Sequence, residues 1–434
     1  MARALVGALP GLAGYVGVDL IQTPSGPIVV EVNPRLTTAY VGLAEALDVN
    51  VAAAILGVFD PVLAPAPVGG RSRHEDGGGV HGPSPGDGRA SMIAGWDIGG
   101  AHLKCAALDL AGRLAGVWEV PCRLWEGLDR LDEALVAMPT RLGEDTRRHA
   151  LTMTGELADC FRDREQGVRA LISCMVRRLG SHRILVYAGR RGFMGVARAG
   201  DHALEVASAN WHASAAFMAL KAERGVLIDI GSTTTDLVRF GDGRVQYQGY
   251  TDGERLRSEE LVYTGAIRTP IMAVVERVPF AGEWQRLTAE HFATMADVYG
   301  LLGRLGERGR ETADGAGTAP EDCARRIARM LGRDLTAAPM RAWQALAGYL
   351  AQAQLVTVRE ALERVLSRDP EGPVPFVGAG VGRFLVRELA RQLDHPYVDF
   401  STFLEGPDPL REKGARCAPA AALAYLVKAC PTPE

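Results

Sequence analysis

SMIAGWDIGGAHLKCAALDLAGRL, residues 91–114, reads as a strand ending near Asp97, a tight turn at Gly99 and Gly100, and a returning strand Leu103–Leu108. The order recurs at residues 225–245, GVLIDIGSTTTDLVRFGDGRV: a strand Leu227–Ile230, a polar tip Gly231–Thr235, and a strand Asp236–Phe240 closed by Gly-Asp-Gly. Glycine lets the main chain approach a phosphate closely, and the hydroxyls of Ser232, Thr233, Thr234 and Thr235 add donors. The aspartate before each tip, Asp97 or Asp229, can hold Mg²⁺ beside that phosphate. Lys104, just behind the first tip, either meets a phosphate or stands at the surface as an ordinary strand lysine. One such hairpin could be a simple glycine turn. Two copies are what duplicated α/β halves produce.

A third segment, PVPFVGAGVGRFL at residues 373–385, is a buried strand running into a glycine-rich turn and the amphipathic helix Arg383–Leu393. It adds Gly378 and Gly380 as phosphate-loop candidates. The competing reading is a dinucleotide fingerprint, with Asp399 at the end of the next strand. Against it stand the spacing GxGxG in place of GxGxxG and the scarcity of βαβ material afterwards.

Length and composition set the frame. A chain of 434 residues exceeds what one core usually organises. With 47% hydrophobic and 23% charged residues it fits a globular enzyme and not a disordered or fibrous chain. A net charge of −4 offers no footprint for nucleic acid. Every apolar run is cut by charge or glycine before it reaches a membrane-spanning length. Leu5–Leu20 resembles a signal peptide, but Pro10 and several glycines interrupt it, so a targeting role is rejected. Cysteines at 105, 122, 160, 174, 323, 417 and 430 are odd in number and never spaced CxxC, which points to free thiols in a reducing cytoplasm. Residues 61–90, crowded with Pro, Gly, Ser, Arg and His, read as a flexible linker between an N-terminal piece, 1–60, and a larger domain, 91–430. RGRETADGAGTAP at 308–320 reads as an exposed loop or lid before the helix Asp322–Leu331, and Trp343–Val365 as helical packing for a second lobe.

With its three elements in this order, the chain resembles, over residues 92–430, the superfamily of acetate and sugar kinases, actin and heat-shock ATPases. Those are α/β proteins of two ribonuclease H-like lobes. Within it, MTGELADCF at 153–161, ASANW at 207–211, YTGAIRTPI at 263–271 and FATMADVYGLLGRL at 292–305 resemble the hydantoinase and oxoprolinase-like proteins linked to tetrahydromethanopterin one-carbon transfer. Archaeal members of that branch resemble enzymes that form the aryl ether of methanofuran. The resemblance implies a transferase: an aminomethyl-furanmethanol diphosphate meets the phenol of γ-glutamyltyramine or a tyrosine analogue, an ether forms, and diphosphate leaves. Loops that cradle a nucleotide's phosphates, with Mg²⁺, can equally neutralise that leaving group. Two other readings stay open: an ATP-dependent kinase or amidohydrolase of the hydantoinase and oxoprolinase kind, and a nucleotide-binding switch protein.

The phenol proton needs an acceptor, for which Glu156, His102 and Asp236 are the candidates. A lone histidine or carboxylate is more often a surface residue or one satisfied by ordinary hydrogen bonding, and the sequence assigns the role to none of them. Asn210, with Trp211, falls on an interlobe helix where substrate contact and packing compete. Arg268, in a polar loop with Thr264, Gly265 and Thr269, either grips a carboxylate or diphosphate through its planar fork or pairs locally. Small-molecule diphosphate and phenolic substrates are the expected partners, and oligomeric state is not legible.

GYVGVDLIQTPSGPIVVEVNPRLTTAYVGL at 14–43 resembles the C-terminal end of an ATP-grasp ligase, a short α+β fragment. Asp19, Glu31 and Asn33 match its metal-binding positions, and Arg35 could assist. The nucleotide-clamping strands and lysines that should precede them are missing, so the piece is expected to be an inactive remnant or the tail of a longer fusion.

Overall fold

Strand order is the first consequence of the duplicated hairpins. The computed structural model describes residues 17–23, 26–33, 92–140, 142, 145–305, 312–368 and 372–430. The linker 61–90, Arg35 and residues 308–311 of the expected lid lie outside them. The chain divides into two units, Met1–Pro85 and Gly86–Glu434. In the first, β1 (Gly17–Thr23) and β2 (Gly26–Asn33) pair antiparallel, with Asp19 opposite Glu31 and Gly17 opposite Asn33.

In the second unit, β3 (Met92–Ile98), β4 (His102–Leu108), β5 (Leu114–Pro121), β6 (Thr146–Met153), β7 (Ile184–Tyr187) and β8 (Phe193–Gly195) form one sheet, ordered β5-β4-β3-β6-β7-β8. Strand β3 is antiparallel to β4 and parallel to β6. The other sheet is made of β9 (Arg224–Ile230), β10 (Thr235–Gly241), β11 (Arg244–Gln246), β15 (Phe376–Ala379) and β16 (Tyr397–Asp399), ordered β11-β10-β9-β15-β16. Here β9 is antiparallel to β10 and parallel to β15. The short β12 (Leu261–Val262) extends the edge of β10, and β13 (Arg277–Phe280) with β14 (Glu283–Arg286) makes a separate hairpin. Each sheet therefore repeats one order, an antiparallel meander followed by parallel strands, with β8 added antiparallel at the edge of the first. This is the two-lobed, ribonuclease H-like fold of actin and the sugar kinases. Asp242 and Gly243, at φ 52 and 70, supply the two left-handed positions of the β10–β11 turn.

Alternation along each strand decides which side chains face the partner lobe. Met92, Ala94, Trp96 and Ile98 enter the outer core of the first lobe, which includes Leu131 of α1 (Asp129–Val136) and Leu171 of α2 (Arg164–Leu179). Val226, Ile228 and Ile230 enter the outer core of the second lobe, with side chains of α5 (Met295–Leu301), α6 (Pro320–Met330), α7 (Met340–Leu366) and α8 (Arg383–Leu393). The opposite faces carry Gly95 and Asp97 on β3, and Leu227 and Asp229 on β9. Between these inner faces lie α3 (Asn210–Lys221) and α10 (Ala418–Ala429), in a core that joins Leu108, Phe217, Leu227 and Ala420. Two further helices, α4 (Asp252–Ser258) and α9 (Asp408–Arg416), complete the set used below. Among the described residues no helix is long and apolar enough to cross a membrane.

The alanine-rich α10 lies directly on β3. A Cβ on Gly95 would stand 2.6 Å from Ala424 N, 2.9 Å from Leu423 Cβ, and closer still to the Ala420 carbonyl. Gly95→Val is expected to cost about 3 kcal/mol or more by overpacking against backbone, measurable as a lowered midpoint of denaturant unfolding; a midpoint like that of the unsubstituted chain would contradict the packing.

Candidate active site

Asp97 and Asp229 line opposite walls of one cavity of about 520 Å³. The two tips are built alike: the Gly99 amide donates to the His102 carbonyl at 3.0 Å, and the Gly231 amide to the Thr234 carbonyl at 2.9 Å. The duplication thus makes Lys104 and Asp236 equivalent positions of opposite charge. Register sets Asp97 directly opposite Lys104, and Asp229 directly opposite Asp236; such cross-strand neighbours share one face about 5 Å apart.

The electrostatics follow from that difference. Burial raises the pKa of Asp97, while Lys104 pulls it back. Burial also opposes the charge of Lys104, but Asp97 and Glu119 outweigh it and hold the ammonium above the usual lysine range. In the second lobe, burial and then the like charge of Asp236 push the Asp229 carboxyl up to about 7. Asp236 is raised by burial and lowered by Arg255, whose Nη1 lies 2.8 Å from Asp236 Oδ1. Arg255 also donates to the Glu260 carbonyl at 2.9 Å and covers the Trp211 ring at 4.1 Å. As a proton acceptor, Asp236 would have to work against this fixed cation.

The same arrangement fits a divalent cation. Asp97 Oδ1 and Ser232 Oγ are buried without a hydrogen-bond partner. Asp229, which faces Asp236 rather than a cation, adds a carboxylate without a positive partner on the strand opposite. Among the described residues no three of His, Cys, Asp or Glu stand close enough to hold an ion alone. Mg²⁺ would therefore draw on Asp97 and Asp229 and complete its shell with water and substrate phosphate, which is its usual habit.

The polar loop at 263–271 is a buttress for the second tip. Amides of Ala266, Ile267 and Arg268 donate to the Gly231 and Ser232 carbonyls at 2.8–3.1 Å. Gln354 of α7 donates to Thr264 Oγ1 at 2.7 Å and to the Gly265 carbonyl at 2.8 Å. A Cβ on Gly265 would lie 2.6 Å from the Ser232 and Thr233 backbone, so only glycine allows the approach. Arg268 is left at the cavity rim, over the ring of Trp125 at 5.1 Å.

Of the residues singled out from the sequence, Gly99, Gly100, His102, Lys104, Asn210, Gly231, Ser232, Thr233, Thr234, Asp236 and Arg268 line the cavity with the two aspartates. Glu156 stands behind the wall, buried, and accepts from Ser208 Oγ at 2.8 Å; burial pushes its carboxyl up to about 7. Gly378 and Gly380 are not among the residues lining this cavity. The Gly380 amide is committed to the Ala415 carbonyl at 2.9 Å, and a Cβ on Gly378 would meet the Tyr397 ring. They are close-packing glycines that let β15 and its turn press on neighbours, at Gly380 directly against the Asp229 carboxylate. Sequence reasoning missed Trp125, Ser208, Asp252, Tyr263 and Arg416, all cavity-lining. For Asp252 a signal existed: Thr251 and Glu254 form a capping box, and Asp252 is the first residue of α4.

A family model for hydantoinase/oxoprolinase matches residues 147–425. The chain belongs to the hydantoinase/oxoprolinase family. An ATP-grasp domain model matches residues 1–39. This family member is similar to the (4-{4-[2-(gamma-L-glutamylamino)ethyl]phenoxymethyl}furan-2-yl)methanamine synthase of Methanocaldococcus jannaschii, with 30% identity over 292 residues, 67% of this chain and 86% of that protein. It is also 33% identical over 112 residues to the synthase of the same name from Methanococcus vannielii, covering 25% of this chain and 50% of that one. Among solved structures it has remote similarity to nucleotide-free acetone carboxylase, with TM-score 0.45 and 10% identity, covering 68% of this chain and 66% of that one.

The buried Asp236–Arg255 pair is a structural commitment of this family member's cleft. Arg255→Met is expected to cost about 3–5 kcal/mol because it strands a buried carboxylate, and Asp236→Asn with Arg255→Met to recover part of it. Denaturant midpoints of the two variants check this; equal losses in both would contradict the pairing argument.

Proposed function

We propose that the chain is an ether-forming synthase that joins an aminomethyl-furanmethanol diphosphate to the phenol of γ-glutamyltyramine, or a tyrosine analogue, and releases diphosphate. The observation that carries this reading is the 30% identity across 86% of the Methanocaldococcus jannaschii synthase, whose named product contains a phenoxymethyl-furan ether. In the step itself, a lone pair of the phenol oxygen forms the new C–O bond to the furfuryl carbon. The bond from that carbon to the diphosphate breaks, and its electron pair leaves with the diphosphate.

The cleft has the parts such a reaction asks for. With the Gly99 and Gly231 amides closing their own turns, Gly100 and Ser232–Thr234 are left to offer amides and hydroxyls to the diphosphate, with the Lys104 ammonium beside them. Arg416 adds a second cation on the cavity wall. When bound between Asp97 and Asp229, Mg²⁺ would neutralise charge accumulating on the leaving diphosphate. At the mouth, Trp125, Leu157 and Tyr263 are 38%, 46% and 63% exposed, an apolar and aromatic lining suited to a flat phenol. Arg268 beside Trp125 suits the carboxylate of a γ-glutamyl tail.

The test is product analysis with both substrates and Mg²⁺. Diphosphate and ether are expected in equal amounts, only when both substrates are present, and without ATP consumption. Steady ATP turnover on an amide or sugar, with no ether, would favour the kinase or amidohydrolase reading instead. Asp97→Asn and Asp229→Asn are each expected to lower turnover by about 10²-fold or more with unchanged circular dichroism. Near-normal activity in both variants would reject this site.

A further inference from the structure

One hydroxyl lies between two carboxylates at the cleft wall. Ser208 Oγ is 2.8 Å from Glu156 Oε1 and 3.1 Å from Asp252 Oδ2. A serine hydroxyl has a single hydrogen, so it can donate to only one of them. The other carboxylate must carry a proton and donate to Ser208 Oγ, or two sets of lone pairs face each other. The trio is fully hydrogen-bonded only with one extra proton, and that proton can sit at either end.

Its ends differ in access. Asp252 and Ser208 line the cavity, whereas Glu156 is 1% exposed, with Oε2 buried and unpartnered. The charged groups facing Glu156 are Asp252 on α4 and Arg164 on α2, and Arg164 Nη2 fixes Asp252 Oδ2 at 2.8 Å. Ser208 is held at φ 50, a left-handed conformation that a side chain seldom adopts without constraint from its surroundings.

We propose that Asp252, Ser208 and Glu156 form a proton relay that removes the proton of the acceptor hydroxyl. Asp252 takes the proton at the cleft and passes it to Ser208 Oγ as the Ser208 hydrogen moves to Glu156. Asp252 and Ser208 end as they began, and Glu156 holds the proton until it returns through Ser208 and Asp252 to the cleft once product has left. The acceptor's identity rests on the ether-forming reading; the relay rests on the geometry. Glu156 accepts only when ionised, so the rate rises with pH through its midpoint, which burial sets at about 7.

Infrared titration of the protonated carboxyl band tests the relay without turnover. Glu156 and Asp229 both titrate at about 7, so the buried band is followed as the difference between Asp229→Asn and the double variant Asp229→Asn with Glu156→Gln, which isolates the Glu156 share and its midpoint. Asp252→Asn should lower that midpoint by removing a like charge. Ser208→Gly should raise it by removing a hydrogen bond to the ionised form; glycine accepts the left-handed backbone, so the hydroxyl is lost without strain. In parallel, diphosphate release by Ser208→Gly and Glu156→Gln should fall about 10²-fold or more and lose the limb near pH 7, with KM for the furan diphosphate unchanged. Wild-type rate and pH limb in Ser208→Gly, or an infrared midpoint that Asp252→Asn leaves in place, would overturn the relay. Coupled infrared midpoints in a chain that forms no ether would uphold the relay and reject the ether-forming reading alone.

Discussion

A carboxylate withdrawn from water at the end of a buried strand must be matched by positive charge or take up a proton, and the inner faces of this molecule create that demand twice. In the first lobe the strand opposite supplies Lys104 to Asp97. In the second it supplies another acid, Asp236, to Asp229. Arg255 satisfies Asp236 but leaves Asp229 with its carboxyl up at about 7. The cleft is therefore charge-imbalanced by construction, an imbalance that a proton on Asp229 or a bound cation would relieve.

The duplication explains how so short a pair of motifs organises a large domain. Both tips close by the same amide-to-carbonyl turn, and both aspartates fall on the strand faces that look toward α3 and α10. Several contacts then join the lobes near the cleft. Arg164 binds Asp252, the Tyr250 hydroxyl donates to the Glu205 carbonyl at 2.6 Å, and Arg268 lies over Trp125. Two-lobed folds can close around a ligand by hinging at a few loop or element-terminal residues. Here the rim contacts and the acidic floor belong to the same opening, so substrate charge and lobe approach act on one space.

Much of this was legible because hairpins are local. Strand ends, glycine tips and the aspartates preceding them are separated by a few residues, and period-two alternation fixes which face each aspartate takes. The third glycine segment is harder to read for a related reason. Glycine marks close approach of any kind, and at Gly378 and Gly380 the neighbours are the Tyr397 ring and the backbone around Ile230, with the Gly380 amide already bonded to Ala415. Residues contributed from far along the chain were not legible. Arg416 lies at the end of α9, and Trp125 in a single turn after β5; neither position carries a local pattern that tells of the cavity. Glu156 was visible as a candidate, but its placement behind Ser208 depends on where α2 and α4 meet, which spacing along the chain does not encode.

The central claim is that Asp97 and Asp229 share one metal-bridged phosphate site. Calorimetric titration with inorganic diphosphate, with and without Mg²⁺, tests it directly in the full chain. The account predicts binding that requires Mg²⁺ and is lost when either aspartate becomes asparagine. Binding of equal strength without Mg²⁺, unchanged by both substitutions, would contradict it.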